Sequence, residues 1–311
     1  MISWQIHFGN MFLQQYQGEI YALCTAIFWT ITALAFESAS LKVGSLVVNI
    51  IRLVLGFLFL SLFTLLVKGH FFPNGATATN WYWLGLSGFI GFFLGDLFLF
   101  KSYTIIGSRF AMLIMALVPP ITAILGRIIL GEKLTLQSNI GMVLTISGIA
   151  LAIFNKGNGG KKIALKLAPV GLLCAFGGAL GQASGLVLSK FGMKDYDPFY
   201  ATQIRIIAGV AGFTVLVTVL KRWKRVIKAV TDARAMKGIT IGSVFGPFLG
   251  VSFSLLAVKY TETGIASTIM AIVPVLIIPP AIFLYRQKVT LLETLGAIIS
   301  VTGVALFFVR F

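Results

Sequence analysis

The sequence predicts an all-α polytopic membrane protein, with ten transmembrane helices in two inverted five-helix repeats. Three observations lead there. Of the 311 residues, 58% are hydrophobic and only 11% charged, and mean hydropathy is +0.97, far from the composition of a water-soluble domain. The apolar residues fall into long unbroken runs of the length a bilayer requires. The chain is also written twice: Gly91 to Phe154 overlays Gly246 to Val309 without a gap, and 18 of the 64 positions are identical. Arg52 likewise falls on Arg205, and Leu23-Cys24 on Leu173-Cys174, across loops of slightly different length.

Four regions follow: an N-terminal segment 1–18, a first repeat 19–154, a basic linker 155–166 and a second repeat 167–311. The N-terminal segment has no Lys or Arg and no small-residue cleavage site, so a removed signal peptide is not expected. Trp4, Phe8, Phe12 and Tyr16 suit it to the membrane interface or to a flexible lead-in. Ten runs can be drawn as spans: 19–38, 46–67, 81–103, 109–130, 136–154, 167–190, 199–220, 236–258, 265–285 and 291–309. They leave no room for a water-soluble domain.

The first run carries Trp29 and, near its end, Glu37; the second carries Arg52. In the third, Ser87, Gly91 and Gly95 are spaced by four, as are Gly242, Gly246 and Gly250 in the eighth. Small residues at that spacing let helix backbones approach closely. The sixth run has the same device in Gly177, Gly181 and Gly185. The fourth and ninth contain Pro119 and Pro274 at equivalent positions, where a missing backbone donor predicts matched kinks, suited to a gate or simply to shaping the bundle. Five helices per repeat is an odd number, so the second repeat enters the membrane from the opposite side and the halves are inverted.

Net charge is +16. On a soluble protein that would suggest nucleic acid; here the cations lie in loops, where they meet anionic headgroups. The side holding both termini collects seven Lys and Arg and the other side sixteen, including Lys221, Arg222, Lys224, Arg225, Lys228, Arg234 and Lys237 in one loop. This bias places that loop in the cytoplasm and the termini outside. Trp223, Val226, Ile227 and Val230 stand at helical spacing among those charges, so a short amphipathic helix is predicted. Cys24 and Cys174 have no metal-ligand spacing and read as small packing residues.

Intramembrane polar groups are costly and so are the candidates for function. Asp96 and Arg52 lie about 10 Å below one surface at roughly 1.5 Å per residue, which suggests an ion pair or a direct substrate or proton role for Asp96. The position matching Asp96 is Val251, so Arg205 loses its twin acid. Arg205 and Gln182 are expected near the opposite surface, with Arg205 facing a cavity, snorkelling, or pairing with Glu19 or Asp195. Trp29 lines a cavity or packs, and Glu37 is a substrate candidate or an interface residue. Of the two histidines, His7 and His70, neither lies in a span. No His-based dyad or metal cluster is therefore expected in the bilayer. The loops hold no Gly-rich phosphate cradle, which argues against an ATP-driven pump. No cofactor is called for.

These residues resemble the EamA-type transporters of the drug/metabolite transporter superfamily. The carrying motifs are the AIFW run ending at Trp29, Arg52, GSRFAMLIMALVPP at Gly107 to Pro120, LGEKLT at Leu130 to Thr135, and KYTETGIASTIMAIVP at Lys259 to Pro274. The resemblance covers about Gly18 to Arg310. It implies secondary transport of small polar or cationic metabolites, such as amino acids and nucleotide sugars, by alternating access between the repeats. The expected setting is the cytoplasmic membrane, crossed many times, as a monomer or weak homodimer whose partners are a small-molecule substrate and the lipid bilayer, with no nucleic acid. It also implies cytoplasmic termini, against the charge bias. The chain departs from the pattern at Arg286-Gln287-Lys288, where Gly-Glu-Lys or Gly-Glu-Arg is expected, which removes a twin for Glu132. A flippase for lipid-linked substrates and a non-transporting scaffold remain as alternatives.

Overall fold

The computed structural model describes residues 14–155, 169–285 and 290–309. Trp4, Phe8, Phe12, the linker 156–166, Gln287 and the side chain of Glu37 lie outside the described residues, with the expectations attached to them. The described residues are helical in ten apolar segments. Eight are long and apolar enough to cross a bilayer, while Val118–Leu130 and Leu136–Ala152 are shorter. The first span is Gln17–Val43 and the second Ser45–Lys68, parted by Gly44 at φ 86°, a conformation that costs a glycine little.

The third span starts at Ala78 behind a Thr77–Asn80 capping box, in which each side chain satisfies the other's backbone N–H. It runs as Ala78–Gly88, widens into a π-helical stretch Phe89–Gly95, and continues as Asp96–Met115. The eighth span repeats this pattern: Ala233–Ser243, a π stretch Val244–Gly250, then Val251–Tyr260. Phe89 and Gly95, which bound the first π stretch, fall on Val244 and Gly250, which bound the second, in the same register as the duplication. Such bulges re-aim the side chains beyond them and are frequent at functional sites.

The fourth and fifth spans are Val118–Leu130 and Leu136–Asn155, and the sixth and seventh are Pro169–Met193 and Pro198–Val219. Asp197 caps the seventh, its Oδ1 accepting from the N–H groups of Phe199 and Tyr200 at 2.9 and 3.2 Å, and is held by an ion pair with Lys68. The ninth is broken into Thr263–Met270, Val273–Leu276 and Ile278–Tyr285, and the tenth is Leu291–Ala305 with a closing turn Leu306–Phe308. In the basic loop, Trp223–Val230 is helical. Val226 and Ala229 face the protein, and Trp223, Ile227 and Val230 face outward. Asp232 ends that loop as the cap of the eighth span, and the N–H of Ala235 holds its carboxyl below the usual carboxylate value.

Two expectations are corrected. Pro119 and Pro274 do not kink continuous helices. Each stands in the first turn of a new segment, after two-residue breaks at Ala116-Leu117 and Ala271-Ile272, where its missing N–H leaves no bond unmade. The expected boundary between 103 and 109 is also absent, since the backbone stays helical from Asp96 to Met115. In the second repeat the matching turn at Thr261-Glu262 is opened by an extended Thr261 (φ −139°, ψ 171°).

The spans pair as a pseudo-two-fold demands: the first along the eighth and the sixth along the third, with second–seventh, fourth–ninth and fifth–tenth pairs. Fifth and tenth touch backbone to backbone. A Cβ on Gly296 would lie 2.6 Å from the carbonyl oxygen of Gly148, and one on Gly303 would lie 2.7 Å from that of Gly141. Gly141 and Gly148 are the repeat equivalents of Gly296 and Gly303, so one contact is the other turned through the axis.

Candidate functional site

The site is set by how closely the third and sixth spans approach. A Cβ on Gly181 would fall 2.6 Å from Cα of Gly95, and one on Gly185 would fall 2.9 Å from Cα of Gly91. No side chain fits between them. Dispersion contact between bare backbones replaces side-chain packing, as in other small-residue membrane contacts. Because Gly95 ends the π stretch, the next residue, Asp96, is turned towards the sixth span. There Gln182 Nε2 donates to Asp96 Oδ1 at 3.1 Å. The other carboxylate oxygen accepts from Arg52 Nη2 in a largely buried ion pair.

Arg52 also lies over the ring of Phe36, 5.5 Å from its centre. Arg205 comes from the seventh span, whose backbone lies against Gly88. Its guanidinium stacks 4.7 Å over Phe92, inside the π stretch, with Nη2 3.5 Å from where a Gly91 Cβ would stand. Asp96 and Arg205 are each only 5% exposed, and the charge of each acts on the other. Nε of both arginines is buried without a partner among the described residues.

The placement of Gln182 and Arg205 near the opposite surface is therefore corrected. Arg205 enters from that side, but its side chain reaches inward, and Gln182, midway along its span, bonds Asp96. Neither Glu19 nor Asp195 is within ion-pair distance of Arg205. Glu19 instead accepts from Thr261 Oγ1 at 3.0 Å. Arg52, Asp96, Gln182 and Arg205 form one cluster between the repeats. Trp29 packs at the matching place in the other half, its Nε1 2.6 Å from where a Cβ on Gly250 would stand, at the end of the second π stretch. Gly246 lies against Thr32 of the first span.

Sequence reasoning missed a second cluster, at the end of the bundle that carries the termini. Glu132 Oε2 accepts from the N–H and Oγ1 of Thr263 at 2.9 and 2.6 Å. Oε1 accepts from Lys190 Nζ at 2.7 Å, and Lys190 also donates to the carbonyl of Thr261 at 2.7 Å. Glu262, the N-cap residue of Thr263–Met270, makes no side-chain cap bond. A carboxylate from the other repeat does that work, favoured by the positive end of the helix. The clasp ties the fourth, sixth and ninth spans. Beside it lies an open basin of about 450 Å³ lined by Leu130, Glu132, Lys190, Lys194, Asp195 and Lys259. The available signal was Glu132 itself, in LGEKLT.

Glu132→Ala is expected to lower stability by about 1–2 kcal/mol, the usual cost of a lost cap, and to speed amide hydrogen exchange over 263–266. Glu132→Gln keeps the acceptor and should lose less. Equal exchange in both variants and the wild type would show that the clasp bears no load.

No group of three His, Cys, Asp or Glu side chains that could hold a metal occurs among the described residues. A family model described as the EamA-like transporter family matches residues 16–154 and again residues 169–309. A solved structure titled only "Crystal structure of protein" superposes with a TM-score of 0.74 at 15% identity, covering 94% of this chain and 96% of its own, which is a likeness of fold. No curated protein sequence matches the chain.

Proposed function

The chain belongs to the EamA-like transporter family, and from that membership we propose that it carries small polar metabolites, such as amino acids or related compounds, across the cytoplasmic membrane without ATP. As a membrane transporter of the drug/metabolite superfamily, it needs a path that opens to each side in turn. The observation that carries the reading is the cluster of buried Asp96 and Arg205 with half-buried Arg52 and Gln182, drawn from four spans of both repeats. Charge inside the membrane at a repeat interface is costly, and such residues mark solute or ion pathways.

The mechanism has two ends. On the side of the termini, the Glu132–Lys190–Thr263 clasp holds fourth, sixth and ninth spans together. Towards the other side, the Arg52–Asp96 pair holds second and third. Opening one end while the other stays bonded is alternating access in terms of these contacts. Asp96 is the group whose protonation would release Arg52, which makes it the proposed coupling site. The breaks before Pro119 and Pro274 supply matched hinges between rigid helical segments.

The test is flux. Purified protein in proteoliposomes, preloaded with a panel of unlabelled amino acids, amines and small phosphorylated metabolites, should show counterflow of at least one labelled member over empty vesicles. Absence of flux for every member, together with no thermal stabilisation by any of them, would remove the transport reading in favour of a scaffold.

A further inference from the structure

Two cations and one anion meet where the repeats touch. Arg52 is answered by Asp96. Arg205 is 5% exposed, yet among the described residues no carboxylate is within ion-pair distance of it, and its buried Nε has no acceptor. The repeat explains the imbalance. Arg52 and Arg205 are equivalent, and the position equivalent to Asp96 is Val251, buried and apolar. The chain thus keeps the cation in both halves and the acid in one. A guanidinium cannot shed its charge as an ammonium can, so a counter-charge has to come from elsewhere. Phe92 supports the flat face of Arg205 at 4.7 Å, leaving its N–H edge as the part free to bond. A planar fork of donors matches a carboxylate or a phosphate through two parallel bonds.

We infer that Arg205 holds the carboxylate or phosphate group of a free anionic solute, which supplies the counter-charge that Val251, in place of an acid, does not. This rests on the transport reading above and narrows its substrate to solutes with an anionic group. Arg52 lies on the same carboxylate that Arg205 senses, so an anion arriving at Arg205 competes with Asp96 for a site carrying one excess positive charge. Solutes that are only cationic are repelled by that excess.

Thermal melting of the full-length protein in detergent, at constant ionic strength, tests this with four probes: inorganic phosphate, succinate, methylammonium and phosphatidylglycerol. Phosphate or succinate should raise the melting temperature, and methylammonium should not. Arg205→Gln should weaken the anion's apparent affinity by about tenfold or more, the usual scale for losing a charge-assisted bidentate contact. It removes an unpaired buried charge, so without anion it is expected to melt no lower than the wild type. If that variant does not fold, Arg205→Lys decides: it keeps the charge but loses the fork, so its anion shift should be smaller than the wild type's. An anion shift equal to wild type in the folded variant, no shift with either anion, or a shift with phosphatidylglycerol alone overturns the inference. Flux of a purely cationic solute in proteoliposomes, with no effect of either anion, would leave transport standing and remove only the anion site.

Discussion

Asp96→Ala is expected to destabilise the protein by about 3–5 kcal/mol, the scale for breaking a buried ion pair by deleting one partner. The reason is asymmetry. The carboxylate answers Arg52 directly, takes the amide of Gln182 and is the acidic charge acting on Arg205. Deleting it leaves Arg52 without its partner and removes the acidic charge that acts on the buried Arg205. Adding Arg52→Ala should recover a large part of the loss, because the second change removes one of the orphaned charges. A double variant no more stable than Asp96→Ala would show that the two residues are not coupled. Asp96→Asn keeps an acceptor for Gln182 and strips the charge. It should fold better than Asp96→Ala and lose pH-dependent flux in proteoliposomes. An unchanged pH profile of flux would sink the coupling role while leaving the ion pair intact.

Gly181→Leu should prevent correct packing of the third and sixth spans. Its Cβ would meet Cα of Gly95 at 2.6 Å and the carbonyl of Ile90 at 3.1 Å, and these are backbone atoms with nowhere to turn. Even Gly181→Ala should cost about 1–3 kcal/mol, the range for overpacking a tight contact. Gly85, in the same third span, has nothing within 4 Å of an added Cβ. There Gly→Ala should be neutral or stabilising by up to about 1 kcal/mol, from helix propensity alone. Melting temperature and size-exclusion profile in detergent distinguish the two sites. If Gly181→Leu is monodisperse and melts with the wild type, the close approach that aims Asp96 at Gln182 is not needed for the fold.

Much of the architecture could be read from residues alone. Apolar runs give spans because hydropathy is a local property. The gapless overlay gives two repeats, and an odd helix count gives inversion by arithmetic. Glycines at spacing four mark the third, sixth and eighth spans as closely packed, but not which span meets which. Depth was a weaker guide. The helical rise per residue sets the height of a Cα along its helix, but not the face a side chain leaves from or how far it reaches. The height of its Cα puts Arg205 near one surface, whereas its side chain extends inward to Phe92. The π stretches were invisible for a related reason: their cause is a shift in backbone hydrogen bonding, and sequence patterns report side chains.

By itself the sequence determined the membrane-embedded class, the ten apolar segments, the duplication with its inversion, and which charged residues the bilayer would have to accommodate. Tertiary structure decided who meets whom: Gln182 with Asp96, Arg205 over Phe92, Glu132 on the first turn of a helix in the other repeat. Each of these depends on the rotation of one helix against another and on side-chain reach across an interface. Both are set by packing between segments distant in the chain, which no local pattern encodes.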